Sequence, residues 1–104
     1  MTQKQTIRDV FGQLGSFPWN HVVYLPPGTP TLDTECVVLD PDDGDPDQDV
    51  PEQAADLGFE EGLGIDDIRS IQENAQLQGR KPSDDEMLQA FVYYLQNDAF
   101  IEFD

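Results

Sequence analysis

The sequence predicts one α+β domain, a small antiparallel or mixed sheet of about three strands packed against three to four helices. Three observations predict it. An apolar stripe of helical period follows a capping signature over residues 83–97, two runs rich in β-branched residues cover 21–25 and 34–39, and a carboxylate-rich stretch at 40–52 separates a β-like half from a helical half. A length of 104 residues suits one core rather than two, so residues 1–104 are read as one unit.

Ile7, Val10, Phe11 and Leu14 recur at spacings of three and four, which predicts a short amphipathic helix over 5–14 with Thr6 as its cap. Gly12 weakens it and Gly15 ends it. Phe17, Pro18 and Trp19 then form an aromatic turn expected to pack over the core edge, with Trp19 a core residue rather than a recognition surface. His21 to Leu25 reads as a strand stopped by Pro26-Pro27-Gly28-Thr29-Pro30. Thr34 to Leu39 is its antiparallel partner, and the unalternating run Val37-Val38-Leu39 implies cover on both faces, with a helix layer on at least one.

Residues 40–52 contain seven carboxylates and no cation, broken by Pro41, Gly44, Pro46 and Pro51, which predicts an exposed acidic loop. Pro51 suits the first turn of a helix reaching about Leu57, capped by Asp49 and closed by Gly58. Phe59 to Leu63 is a candidate third strand. A helix over about Ile65–Gln78 has Asp66 and Asp67 in its first turn, Ile68, Ile71 and Ala75 on one face, and Gly79 at its end. In the last helix Ser83 and Glu86 form the capping box, and Met87, Leu88, Phe91, Tyr94 and Leu95 form the core stripe. Asp98-Ala99 breaks it, and Phe100 to Phe103 alternates as a final strand would.

The charge is the most informative bulk quantity: 22 Asp and Glu against 5 Lys and Arg give a net charge of −17. Such a field repels nucleic acid and anionic membranes, and it speeds encounter with a basic protein by about 10 to 10³ at low salt. Solubility alone is the plainer reading of an acidic chain; the clustering of charge at 40–52 argues for a partner. No apolar stretch approaches the ~18 residues of a membrane span or forms a signal peptide, so a cytoplasmic protein is expected.

Dedicated chemistry finds few residues to carry it. An EF-hand counted from Asp40 would put Gly44 fifth and Pro51 twelfth, where the loop needs Gly sixth and Glu twelfth. One Cys and one His cannot build a structural zinc site, and no spacing rule joins Cys36 to His21 as nucleophile and base. Cys36 is expected as a buried strand residue. No Gly-rich phosphate loop is present, because Gly12 with Gly15 and Gly62 with Gly64 lack the third Gly or the Lys. No cofactor, metal or catalytic residue is expected.

Several strings carry a resemblance: Trp19-Asn20, Val23-Tyr24-Leu25-Pro26, Val38-Leu39-Asp40-Pro41-Asp42-Asp43, Ile68-Arg69-Ser70-Ile71-Gln72-Glu73-Asn74-Ala75, and the ending from Ala90 to Ile101. Over most of its length the chain resembles small acidic bacterial proteins associated with immunity in contact-dependent growth inhibition systems. The resemblance implies a cytosolic antitoxin that binds and blocks the toxin domain of a secreted effector, commonly a nuclease.

A nuclease cleft lined with cations is a natural target for a carboxylate-rich surface. On that expectation Asp40, Asp42, Asp43, Asp45, Asp47 and Asp49 meet toxin cations, and Glu52 and Asp56 continue the surface onto the next helix. Glu60 with Glu61, and Asp66 with Asp67, are further candidate patches. Tyr24 or Trp19 would supply a desolvated anchor if exposed. Two other classes stay open: a nucleic-acid mimic or adaptor binding a host basic protein, and a small carboxylate-dependent enzyme. The expected oligomeric state is a monomer.

Overall fold

The structure, a computed structural model, describes residues 4–40, 51–79 and 81–100. Four antiparallel strands form its sheet: β1 (Gln5–Thr6), β2 (Val22–Leu25), β3 (Glu35–Leu39) and β4 (Glu60–Gly64), in the spatial order β1-β3-β2-β4. The helices are α1 (Ile7–Gly12), α2 (Glu52–Ala55), α3 (Ile65–Leu77) and α4 (Asp84–Asn97), with a 3-10 turn at Leu14–Ser16. The α+β class holds, with one strand more than the sequence suggested.

Pairing of Val22 with Leu39, Val23 with Val38 and Tyr24 with Val37 fixes the central hairpin. Side chains alternate across this pair, so Val23, Leu25 and Cys36 join a large core while Tyr24 and Val37 point into a smaller one. The large core is completed by Ile7, Val10 and Phe11 of α1, by Ile65, Ile68 and Ile71 of α3, and by Met87, Ala90 and Phe91 of α4. Phe91 is fully buried and meets Phe11 edge to face, with ring centroids 5.9 Å apart. On the opposite face Ala54 of α2 closes the smaller core, with Val22, Leu39 and Phe59 around it. The run Val37-Val38-Leu39 is thus covered on both sides, as its composition implies.

Thr6 caps α1 through a capping box with Asp9, so the helix begins where expected. It ends sooner, at Gly12, and the residues before it pair with β3, Gln5 with Cys36 and Thr6 with Glu35. Tertiary bonds override the local helical pattern there: Ile7 N–H donates to Thr34 O and Arg8 N–H to Leu32 O, each at 3.0 Å. Helix α2 is also shorter than expected, ending at Ala55, and Pro51 is its N-cap rather than part of its first turn. Asp49, the expected cap, lies outside the described residues.

The capping box of α4 is present, with Ser83 and Glu86 each accepting the other's backbone N–H. Its stripe needs one correction: Leu95 is exposed and Ala90 takes the buried position, because the packed face follows Met87, Ala90 and Phe91. Asp98 ends the helix in the left-handed conformation, φ 52°, its N–H donating to Tyr94 O. Phe100 is not in a strand, and the rest of the expected final strand lies outside the described residues.

Candidate protein-docking surface

The carboxylates expected to meet a partner fall into two groups. In the first, Glu52 and Asp56 lie on α2 and just beyond it, Glu60 and Glu61 open the edge strand β4 at the Leu25 end of β2, and Asp40 follows β3 at the opposite, Val22 end. Glu61 pairs with Tyr24 and therefore shares the α2 face of the sheet, whereas Glu60 pairs with Leu25. Glu52, Asp56, Glu60 and Glu61 are exposed and Asp40 is half-buried. Asp42, Asp43, Asp45, Asp47 and Asp49 lie outside the described residues.

The second group surrounds the start of α3. Asp66 is exposed and accepts the Asp67 N–H at 2.9 Å, while Asp67 is half-buried and bonds the Gly64 backbone. Helix α4 runs back so that its C-terminal end reaches this point, adding Asp98 and Tyr94. Burial raises the Asp67 carboxyl above its ordinary range, and the charges of Asp66 and Asp98 raise it further, against the lowering effect of the Gly64 bond. The same charges, Asp67 foremost, raise the Tyr94 hydroxyl. Tyr94 in turn packs on Phe100, ring centroids 5.5 Å apart. Asp98 was not among the expected binding residues; the chain signal for it was only its place at the end of a helix, where Asp tolerates positive φ.

Few cations answer these charges. Among the described residues Lys4 pairs with Glu35 at 3.4 Å and Arg8 with Asp33 at 2.7 Å, both beside β1 and the residues leading into β3. Arg69 binds backbone instead: its Nε and Nη2 donate to Leu14 O at 3.2 and 2.8 Å, and Nη2 also donates to Phe17 O. Among the described residues no salt bridge joins Lys4, Arg8, Arg69 or Lys81 to Glu52, Asp56, Glu60, Glu61, Asp66 or Asp67.

The two aromatic anchor candidates separate cleanly. Tyr24 is 1% exposed in the smaller core and is not a contact residue, whereas Trp19, expected at the core edge, is 68% exposed. The reason is the anchoring of its turn: Phe17 packs inward and is gripped by Arg69, His21 N–H donates to Pro18 O, and His21 O accepts the Ile65 N–H. The turn is held by its backbone and by Phe17, so Trp19 is left outside.

Among the described residues, reactive groups do not converge elsewhere. Cys36 is fully buried, and burial, aided by Asp9, pushes its thiol up to about 12. The register of β2 on β3 sets Cys36 level with Leu25 and His21 toward the other end of the strand. A groove of about 470 Å³ between Thr29-Pro30 and the outer side of α4 is lined by Leu88, Gln89, Val92, Tyr93 and Gln96, side chains suited to packing rather than to proton or metal chemistry. No group of three or more His, Cys, Asp or Glu among the described residues is arranged to hold a metal ion. No helix among them is long and apolar enough to cross a membrane.

No curated protein and no solved structure matches this chain. Residues 4–103 match the model of a family described as a domain of unknown function, spanning both acidic groups, the Trp19 turn and every described strand and helix. The chain belongs to that family, DUF7716.

Proposed function

We propose that this protein is an immunity-type antitoxin of the cytoplasm, which binds a basic toxin domain, a nuclease by the logic of its charge, and blocks its cationic cleft. The observation that carries the reading is uncompensated charge. With 22 carboxylates against 5 cations, and with Lys4, Arg8 and Arg69 engaged by Glu35, Asp33 and backbone carbonyls, no salt bridge among the described residues reaches the carboxylates of α2, β4 and the start of α3. Such a surface steers a basic protein toward it and strengthens as the two faces exclude water. The resemblance to immunity proteins of contact-dependent growth inhibition supports the same partner class.

The reading predicts that the gene directly upstream encodes a basic toxin, and the test uses the toxin domain of that product purified alone. Stopped-flow mixing should show an association rate that falls at least about tenfold between 20 mM and 500 mM salt. Equimolar chain should abolish the toxin's nuclease activity. Glu60→Lys with Glu61→Lys, and separately Asp66→Lys with Asp67→Lys, should slow association and identify the patch in contact. Full toxin activity in the presence of excess chain would sink the proposal.

A further inference from the structure

We propose that Trp19 is the anchor of this docking surface, its exposed indole face receiving a guanidinium of the basic partner; the inference rests on the function proposed above and assigns its central contact. A large aromatic left in water adds little to folding stability, so the way it is presented matters. Both ends of the Phe17–His21 turn are bonded to the first two turns of α3, Phe17 O to Arg69 and His21 O to the Ile65 N–H at 2.9 Å. Pro18 fixes one backbone angle and its carbonyl accepts the His21 N–H at 3.2 Å. An exposed side chain on so constrained a backbone loses little further backbone freedom on binding, which is the condition for a strong contact residue.

The chemistry beside it selects the occupant. Asp66 follows Ile65, the residue bonded to His21, and its Oδ1 lies 2.7 Å from where a side chain on Gly64 would begin, with His21 O 3.8 Å from that same point. The acidic first turn of α3 therefore adjoins the base of the Trp19 turn. An indole face attracts a cation held over it, and the carboxylates of an adjoining turn can take the same cation's N–H groups. A planar guanidinium satisfies both, stacking on the ring while donating sideways; an ammonium cannot stack. Arg69, the arginine described within this part of the fold, is bonded to Leu14 and Phe17 carbonyls, and the guanidinium proposed here is the partner's.

Trp19 is the sole tryptophan of the chain, so its fluorescence reads this position alone. The probes are capped tetra-arginine, tetra-lysine and tetra-citrulline peptides at 20 mM salt, followed by tryptophan emission and by calorimetry. Saturable quenching or shift of the emission by tetra-arginine is expected, with tetra-lysine weaker and tetra-citrulline silent. Trp19→Ala should weaken tetra-arginine binding about fivefold or more while leaving the thermal midpoint near that of the parent, and Trp19→Phe should recover part of the loss. Wild-type affinity in Trp19→Ala, with binding lost instead in Asp66→Asn/Asp67→Asn or Glu60→Gln/Glu61→Gln, would overturn the anchor and leave the acidic docking surface standing. Emission unchanged at calorimetric saturation would do the same. Emission that responds to maltohexaose and not to tetra-arginine would make the turn a sugar platform and overturn the inference. Absence of any tetra-arginine binding would remove anchor and surface together.

Discussion

Replacing Arg69 by Met removes the three donor contacts that tie α3 to the carbonyls of Leu14 and Phe17 while keeping most of the apolar stem. A hydrogen bond from a charged donor contributes about 1.5–3 kcal/mol, and these carbonyls are part-buried, so water replaces some of what is lost. Two carbonyls losing their donor should cost about 2–3 kcal/mol in all, roughly 10–20 °C of thermal midpoint for a domain near 100 residues. Circular dichroism at 222 nm during urea unfolding measures it. The variant also makes an already acidic chain more negative, and salt separates that contribution: repulsion is screened in about 1 M salt, whereas bonds to carbonyl oxygens persist. Arg69→Lys should recover about half, because a single ammonium on a flexible stem reaches one carbonyl more readily than two. A Met variant within about 0.5 kcal/mol of the parent, or a deficit that vanishes in 1 M salt, would refute the assignment of Arg69 as a brace.

Gly62 lies at the irregularity of β4, where the pairing of Val22 with Gly64 and of Tyr24 with Glu61 leaves one extra residue on β4, and a Cβ there would lie 2.3 Å from Leu25 Cδ2 and 2.9 Å from Val23 O. The leucine can turn but the backbone carbonyl cannot, so Gly62→Ala should cost at least about 1–3 kcal/mol in the same urea assay, and an unchanged midpoint would show that the bulge is adaptable. Asp67→Asn tests the acidic corner through pH. Because the folded carboxyl holds its proton more tightly than the unfolded one, ionisation of Asp67 opposes folding, and stability at this position falls as pH rises above the ordinary Asp value of 3.8. The Asn variant should therefore be the more stable at pH 7, with the difference closing as pH falls toward 3.8 and below; thermal melts across pH 3 to 8 would show a reversed sign if the Gly64 bond outweighed burial and repulsion together.

The parts of this fold that could be read from the chain are those whose patterns are local. Ser83 and Glu86 announce α4 within four residues, and the β-branched runs at 22–25 and 35–39 announce the hairpin that seeds both cores. A two-residue strand such as Gln5–Thr6 has no pattern of its own; its pairing is set by the backbone of Leu32 to Cys36. Strand β4 is poor in strand-forming residues and exists because β2 offers it a ladder on one side. The same distinction governs the candidate site. Glu60, Glu61, Asp66 and Asp67 were visible as charges, but the exposure of Trp19 depends on Arg69, about fifty residues away in sequence, and no spacing rule reaches that far. Asp98 joins Asp67 only because α3 and α4 are antiparallel neighbours.

Solubility alone explains a negative surface but explains poorly how the cations are used. Arg69 stands three residues after Asp66, a separation at which the two side chains commonly pair on a helix, and pairing there would relieve some of the repulsion that lifts Asp67. Its guanidinium turns instead to carbonyls of Leu14 and of Phe17, in the segment that displays Trp19, leaving Asp66 and Asp98 to raise Asp67 unopposed by it. The exposed ring contributes little to folding and the crowded carboxylates oppose it, and both gain when an external cation arrives: the ring is covered and the carboxylates acquire a partner. Under the proposed capture of a basic protein the two features act together, whereas solubility requires neither.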